Sequence, residues 1–174
     1  MEAIVGLHSV ELSVPDLAPT SALLTDVMGF EETRTQTLRR RFCAGGPGPG
    51  LFVDVRADSG ASAGSMGAGC VHHIAFRAAS GDEQRAWQHH LRQAGLDVTE
   101  IKDRKYFRSI YFQEPADIRL EIATDTPGFA VDEAAHELGL RLQLPTVLEP
   151  MRQALESRLA TLDAFSSPSP TASA

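Results

Sequence analysis

Two stretches carry side chains able to hold a metal or move a proton: Val71-His72-His73-Ile74-Ala75-Phe76-Arg77 and Ile118-Arg119-Leu120-Glu121-Ile122-Ala123-Thr124. Both alternate with period two, the pattern of a half-buried strand. In the first, Ile74 and Phe76 share the face of His72, so His73 is expected on the opposite face with Ala75 and Arg77. In the second, Ile118, Leu120 and Ile122 form the apolar face and force Glu121 to the other. An imidazole and a carboxylate presented from two strands are donor types that bind divalent ions. Each residue also has an ordinary reading, His73 as a satisfied polar group on a half-exposed sheet and Glu121 as the ion-pair partner of Arg77 or Arg119.

Other residues could serve the same chemistry. In Tyr106-Phe107-Arg108-Ser109-Ile110-Tyr111-Phe112, alternation puts Phe107, Ser109 and Tyr111 on one face, where the Tyr111 phenol either meets a ligand or finishes a packed strand. Arg104 sits in the charged turn Lys102-Asp103-Arg104-Lys105 and would ordinarily be solvated. His89-His90 belong to a polar helix face, and Arg39-Arg40-Arg41 read as a solvated strand edge. The glycines from Gly45 to Gly50 lack the Gly-Lys-Ser/Thr ending of a phosphate loop and read as a hairpin turn, and no Gly-x-Ser-x-Gly nucleophile motif occurs.

The elements that must position these groups repeat. Val5 to Val14 reads as a strand, Asp16 as the N-cap of a helix with the stripe Leu17, Leu24, Val27 and Met28 ending at Gly29, and residues 30–37, 38–44 and 51–57 as three more strands. After a Gly/Ser/Ala-rich linker at residues 59–69, the order returns: strand Val71 to Ala78, helix Ser80 to Ala94 with Trp87, Leu91 and Ala94 facing a sheet, then strands at Leu96 to Ile101, Tyr106 to Phe112 and Ile118 to Thr124. The chain is thus expected to be α+β, two βαβββ modules at residues 1–58 and 70–126 with curved mixed sheets around a cavity. Superposing the modules sets Ser9 against His73 and Asp54 against Glu121. Residues 127–163 are expected to add helices, Asp132 to Leu142 and Pro145 to about Leu162, before a disordered tail at 164–174.

Composition narrows the partners. The 174 residues, 43% of them apolar, suffice for one core, and a net charge of −7 argues against a nucleic-acid partner. Cys43 and Cys70 lack paired spacing, and neither a signal peptide nor a membrane-length apolar run is visible, so a cytoplasmic protein is expected.

The arrangement resembles the vicinal oxygen chelate superfamily of glyoxalases, bleomycin-resistance proteins and extradiol dioxygenases. More closely, the segments Gly69 to Arg77, Asp103 to Phe112 and Glu121 to Phe129, continuing through Val131-Asp132-Glu133 and Leu148-Glu149-Pro150, resemble the hydroquinone-type ring-cleaving dioxygenases over roughly residues 6–155. The resemblance implies an Fe(II) site, or one for another divalent metal, with His73 and Glu121 as ligands. It matches Tyr111, Arg104 and His72 to positions that contact substrate or support the ligands.

Members of that family have four modules and take a further histidine from an N-terminal half, whereas this chain resembles the C-terminal half. His8 shares the apolar face of Val10 and Leu12, and Ser9 holds the position equivalent to His73. Three completions follow: a histidine from a separate N-terminal-half-like polypeptide across an interface, Asp54 with Ser9 or water, or loss of chemistry with retention of a binding cavity; an isolated half with unpaired strand edges is expected to form a homodimer or to dock on such a partner. The corresponding functions are ring cleavage of a hydroquinone- or catechol-like aromatic with dioxygen, a glyoxalase-like metal reaction, and non-catalytic binding of a small molecule.

Overall fold

The alternation of Val10, Leu12 and Val14 with Glu11 and Ser13 builds β1 (Ser9–Val14), which buries Leu12 and Val14 and leaves Glu11 and Ser13 in solvent. Asp16 caps the helix that follows, its carboxylate accepting the Ala18 N–H at 3.0 Å. That helix, α1 (Leu17–Ala22), widens into a π turn (Leu23–Val27), and the chain leaves it through Gly29 at φ +72°, a conformation that favours glycine. β2 (Glu31–Gln36), β3 (Arg39–Cys43) and β4 (Phe52–Ala57) complete a sheet ordered β1-β4-β3-β2, with β1 and β4 parallel and the other pairs antiparallel.

The computed structural model describes residues 6–46, 48–60 and 67–159. The second module repeats the topology: β5 (Ile74–Ala78), α2 (Gly81–Gln93), β6 (Lys102–Asp103), β7 (Arg108–Gln113) and β8 (Arg119–Thr124) form a sheet ordered β5-β8-β7-β6. Ser80 caps α2 by accepting the Glu83 N–H at 3.2 Å, while the Glu83 carboxylate accepts the Ala79 N–H at 2.8 Å. The register makes the two modules superposable. Asp54 lies between Glu11 and Arg41, and Glu121 lies between Ala75 and Tyr111. The expected pairing of Asp54 with Glu121, and by extension along the strands of Ser9 with His73, is therefore the observed one.

Both modules belong to one compact unit ending at Gly128, and they share one core. Leu12, Leu24, Phe42 and Val55 of the first module join Leu91, Ile110, Leu120 and Ile122 of the second in a single buried cluster. Each such side chain contributes roughly 1.5–3 kcal/mol on burial. Polar ties reinforce it: the Thr20 hydroxyl donates to Glu114 Oε2 at 2.6 Å, His90 Nε2 lies 2.8 Å from the Val27 carbonyl, and Phe30 meets Phe76 edge-on at 5.5 Å. Because the core takes the helix side of each sheet, the opposite faces keep their polar residues. Among the described residues the two sheets are paired separately and do not close on one another through strand pairing.

Several elements differ from the sequence pattern. The strand expected from Val71 starts at Ile74, and Leu96 to Ile101 is not a strand. There Thr99 replaces part of the ladder, its N–H donating to the Tyr111 carbonyl at 3.0 Å and its hydroxyl accepting the Tyr111 N–H at 3.1 Å. Ala94 is exposed, since α2 has already turned past the sheet when it ends.

The second unit starts at Phe129. Asp132 to Leu142 forms turns, not a helix, with Gly139 at φ +82° breaking the run. The long helix expected from Pro145 is a 3-10 turn (Thr146–Met151) followed by α3 (Arg152–Glu156), because Pro150 lacks the N–H a continuous helix needs. The expected tail at 164–174 lies outside the described residues, as do 61–66 of the linker. Among the described residues both cysteines are free, and no helix is long and apolar enough to cross a membrane.

Candidate metal centre

Glu121 stands in the middle of the central strand β8, and at 2% exposure its carboxylate has left water almost entirely. Such a group needs compensation. Ser109, one strand away on β7, donates its hydroxyl to Oε1, and His73 Nε2 lies 2.7 Å from Oε2. The alternative pairings with Arg77 and Arg119 do not occur: Arg77 binds Asp125, with its Nε 2.7 Å from Oδ2, and Arg119 turns to His72. The ordinary ion-pair reading of Glu121 is thereby replaced by an imidazole–carboxylate pair.

The two histidines do not diverge as strand alternation predicts. Both precede β5, so the pleat does not constrain them, and their Nδ1 atoms lie 2.8 Å apart. His72 is exposed and does not join Ile74 and Phe76 against the helix. Its Nε2 lies 3.2 Å from Arg119 Nη1, which can only donate. This fixes a direction along the chain of contacts: His72 accepts at Nε2 and donates from Nδ1, His73 accepts at Nδ1, and His73 Nε2–H points at Glu121.

Tyr111, opposite Glu121 in the β7–β8 register, presents its ring edge-on to His73 at 5.7 Å between centroids. Arg104 reaches over that ring, its guanidinium carbon 5.6 Å from the centroid and its Nη2 3.5 Å from the phenolic oxygen. All five residues singled out from the sequence thus come together: Glu121 and His73 in contact, His72 against His73, Tyr111 against His73, and Arg104 against Tyr111. Sequence reasoning passed over two participants. Ser109 was legible only as a residue sharing the face of Tyr111, and Arg119 only as a competing partner for Glu121. Beside the pair opens a cavity of about 510 Å³ lined by His72, Arg104, Tyr111 and Arg119, among others.

The His73–Glu121 pair suits a divalent ion. Their donor atoms lie 2.7 Å apart, close enough to serve one ion; a bound ion would take His73 Nε2, and the imidazole would then carry its proton at Nδ1 and donate it to His72, the reverse of the metal-free direction. Among the described residues no third histidine, cysteine or carboxylate joins them.

The equivalent place in the first module is built differently. Asp54, also 2% exposed, is clasped by Arg41 through Nε at 2.8 Å and Nη2 at 2.7 Å, and by Arg39 Nη2 at 2.9 Å. The Arg41 guanidinium, and secondarily Arg39, hold the Asp54 carboxyl below its ordinary range against the opposing effect of burial. These arginines are on an interior strand of the sheet, so Arg39-Arg40-Arg41 is no solvated edge. In register, Arg41 replaces Tyr111 and Arg39 replaces Ser109. Both oxygens of Asp54 are occupied by cations, which removes the basis for completing a metal site with Asp54. His8 is exposed and rests on Phe52, with ring centroids 5.4 Å apart, instead of entering the apolar face of β1.

The profile of the Glyoxalase/Bleomycin resistance protein/Dioxygenase superfamily matches residues 6–122, and the chain belongs to that superfamily. Its fold is the superfamily's paired βαβββ arrangement. Among its curated relatives, a Bacillus subtilis protein named "Putative ring-cleaving dioxygenase MhqO" is 39% identical over 90% of this chain and 50% of the relative. The chlorohydroquinone/hydroquinone 1,2-dioxygenase of Sphingobium indicum is 35% identical over 88% of this chain and 48% of that enzyme. A solved Bacillus subtilis structure, described as a putative dioxygenase, superposes with a TM-score of 0.80 at 38% identity, covering 87% of this chain and 48% of the other. The chain spans about half the length of the curated relatives it matches.

Proposed function

We propose that this chain contributes two donors, His73 and Glu121, to an Fe(II) centre that cleaves the ring of a hydroquinone- or catechol-like aromatic with dioxygen. The observation that carries the reading is the buried Glu121 carboxylate, compensated by His73 and Ser109 and by no cationic side chain among the described residues. The similarity to ring-cleaving dioxygenases, one of them a hydroquinone 1,2-dioxygenase, supports the reaction class. A third protein donor comes from a segment equivalent to the half of those relatives that this chain does not span, supplied by a partner polypeptide.

When bound, the metal supplies Lewis acidity toward a ring hydroxyl and a place for dioxygen beside it. The chain's own residues do the rest. Ser109 fixes the carboxylate of Glu121, and His72 fixes the ring of His73 through its Nδ1 contact. Tyr111 and His72, both lining the cavity, offer hydrogen bonds to a substrate oxygen. Arg104, above Tyr111, faces negative charge as it develops on the ring oxygens.

Anaerobic Fe(II) titration of the purified chain, followed by oxygen uptake with hydroquinones, alone and with a protein equivalent to the missing half of the relatives, tests the reading. Iron binding that requires His73 and Glu121, with oxygen consumption in the reconstituted mixture, is the expected result; neither under any of these conditions rejects it. The presence of only two protein donors among the described residues favours one second reading, a non-catalytic module that binds a planar aromatic. That reading predicts ligand affinity indifferent to His73→Ala.

A further inference from the structure

The cavity beside His73 and Glu121 is basic, although the protein as a whole carries a net charge of −7. Lys102, Arg104 and Arg119 line it, against Asp97 as the one acidic residue among its lining side chains. The strand register puts these cations around the candidate centre. Lys102 lies directly across from Ser109, whose hydroxyl holds Glu121, and Arg119 precedes Glu121 by two residues, on the same face of β8. Arg104 sits over Tyr111. The Lys102 ammonium makes no hydrogen bond or ion pair with another described residue, and the Arg119 and Arg104 side chains each commit a single nitrogen to their neighbours, leaving donors of the five-pronged guanidinium for a ligand.

An unsubstituted hydroquinone is uncharged at neutral pH and gives such a wall nothing to pair with before it reacts. We infer that the cavity selects an aromatic ring bearing an anionic substituent, a dihydroxyaryl carboxylate, with Lys102 and Arg119 as the groups that receive the carboxylate. The inference rests on the proposed ring-binding site and narrows its substrate class. A carboxylate met by an ammonium and a planar guanidinium gains charge-assisted hydrogen bonds that a neutral ring cannot form. The excess positive charge also draws an anion toward the cavity of an otherwise acidic protein.

The test uses the full chain and three probes: 2,5-dihydroxybenzoate, its methyl ester, and hydroquinone. Affinities are measured by quenching of the single tryptophan or by calorimetry at low and at physiological salt. The carboxylate is expected to bind about tenfold tighter than the ester, the factor one such contact supplies when partly solvated, with the gap shrinking as salt is raised. K102E and R119Q are each expected to narrow the gap, and together to close it to within about threefold, while unchanged circular dichroism shows that both variants fold. Equal or tighter binding of the ester, a gap that survives in the double variant, or no binding of any probe would overturn the inference. Tight, salt-sensitive binding of the carboxylate without oxygen uptake in the reconstituted, iron-loaded mixture would leave the cavity's selectivity standing and reject the ring-cleavage reading, so the two failures are distinct.

Discussion

His73 Nε2 lies 2.7 Å from Glu121 Oε2, and among the described residues no lysine or arginine shares that carboxylate. Among the described residues, this deeply buried carboxylate is met by an imidazole and a hydroxyl. H73A and E121Q are each expected to lower affinity for Fe(II) by at least about 100-fold, since a pair reduced to one donor has no chelate left. Equilibrium dialysis followed by metal analysis reads this directly, and binding unchanged in both variants would place the metal elsewhere.

Ser109 tests the same carboxylate from the other side. Its hydroxyl is the second support of Glu121, so S109A is expected to cost about 1–3 kcal/mol of stability and about 10- to 100-fold in metal affinity, without removing a ligand. Urea unfolding and metal titration of one preparation separate the two effects. An unaffected metal affinity would show that the hydroxyl serves packing only.

Asp54 predicts a dependence on pH. Its carboxyl is held below the ordinary carboxylate range chiefly by Arg41, so the folded protein binds that proton less readily than the unfolded chain does. The resulting stabilisation is complete above the unfolded value near 3.9 and is lost as pH falls through the folded value below it. D54N is expected to lower stability at neutral pH by about 2 kcal/mol, a figure reduced because Arg39 and Arg41 remain partly exposed, and to flatten the acid limb of the stability curve. Thermal melts from pH 3 to 7 check it. Fe(II) affinity at neutral pH is expected to stay at the level of the unsubstituted protein.

Thr20 and Glu114 tie the modules together. Glu114 Oε1 accepts the Ala116 and Ile118 N–H groups at 2.7 and 3.0 Å while Oε2 accepts the Thr20 hydroxyl. T20V leaves a buried carboxylate oxygen without its donor and is expected to cost about 1–3 kcal/mol. Hydrogen exchange should show protection falling together in β4 and β8, because one core spans both sheets; loss confined to the first module would contradict a shared core.

The repeat of βαβββ order, the cap at Asp16, and the equivalence of Asp54 with Glu121 were legible because each rests on local chemistry: period-two alternation, an N-cap carboxylate, a glycine where φ turns positive. The five site residues were legible as types, and the β7–β8 register sets Tyr111 opposite Glu121. What escaped the sequence depends on contacts that period and propensity do not encode. His72 and His73 touch because the pleat begins one residue after them. Thr99 pairs with Tyr111 through a side chain, which alternation does not register. Arg39 and Arg41 have the look of surface charge until β3 is known to be an interior strand with a buried aspartate at its side. The helices expected after Pro127 failed at Gly139 and Pro150, where apolar spacing promised more regularity than the backbone allows.

The clasp around Asp54 has one more consequence. Its two compensating cations, Arg41 and Arg39, are tethered to the same chain, counter-ions that cannot diffuse away and whose stoichiometry never varies. Under the proposed function, a chelator, a competing ion or a shortage of iron would act on the carboxylate of the second module but would have no purchase on that of the first. Loss of metal would therefore leave the Asp54 carboxylate compensated, and through the common core the first sheet would go on supporting the second.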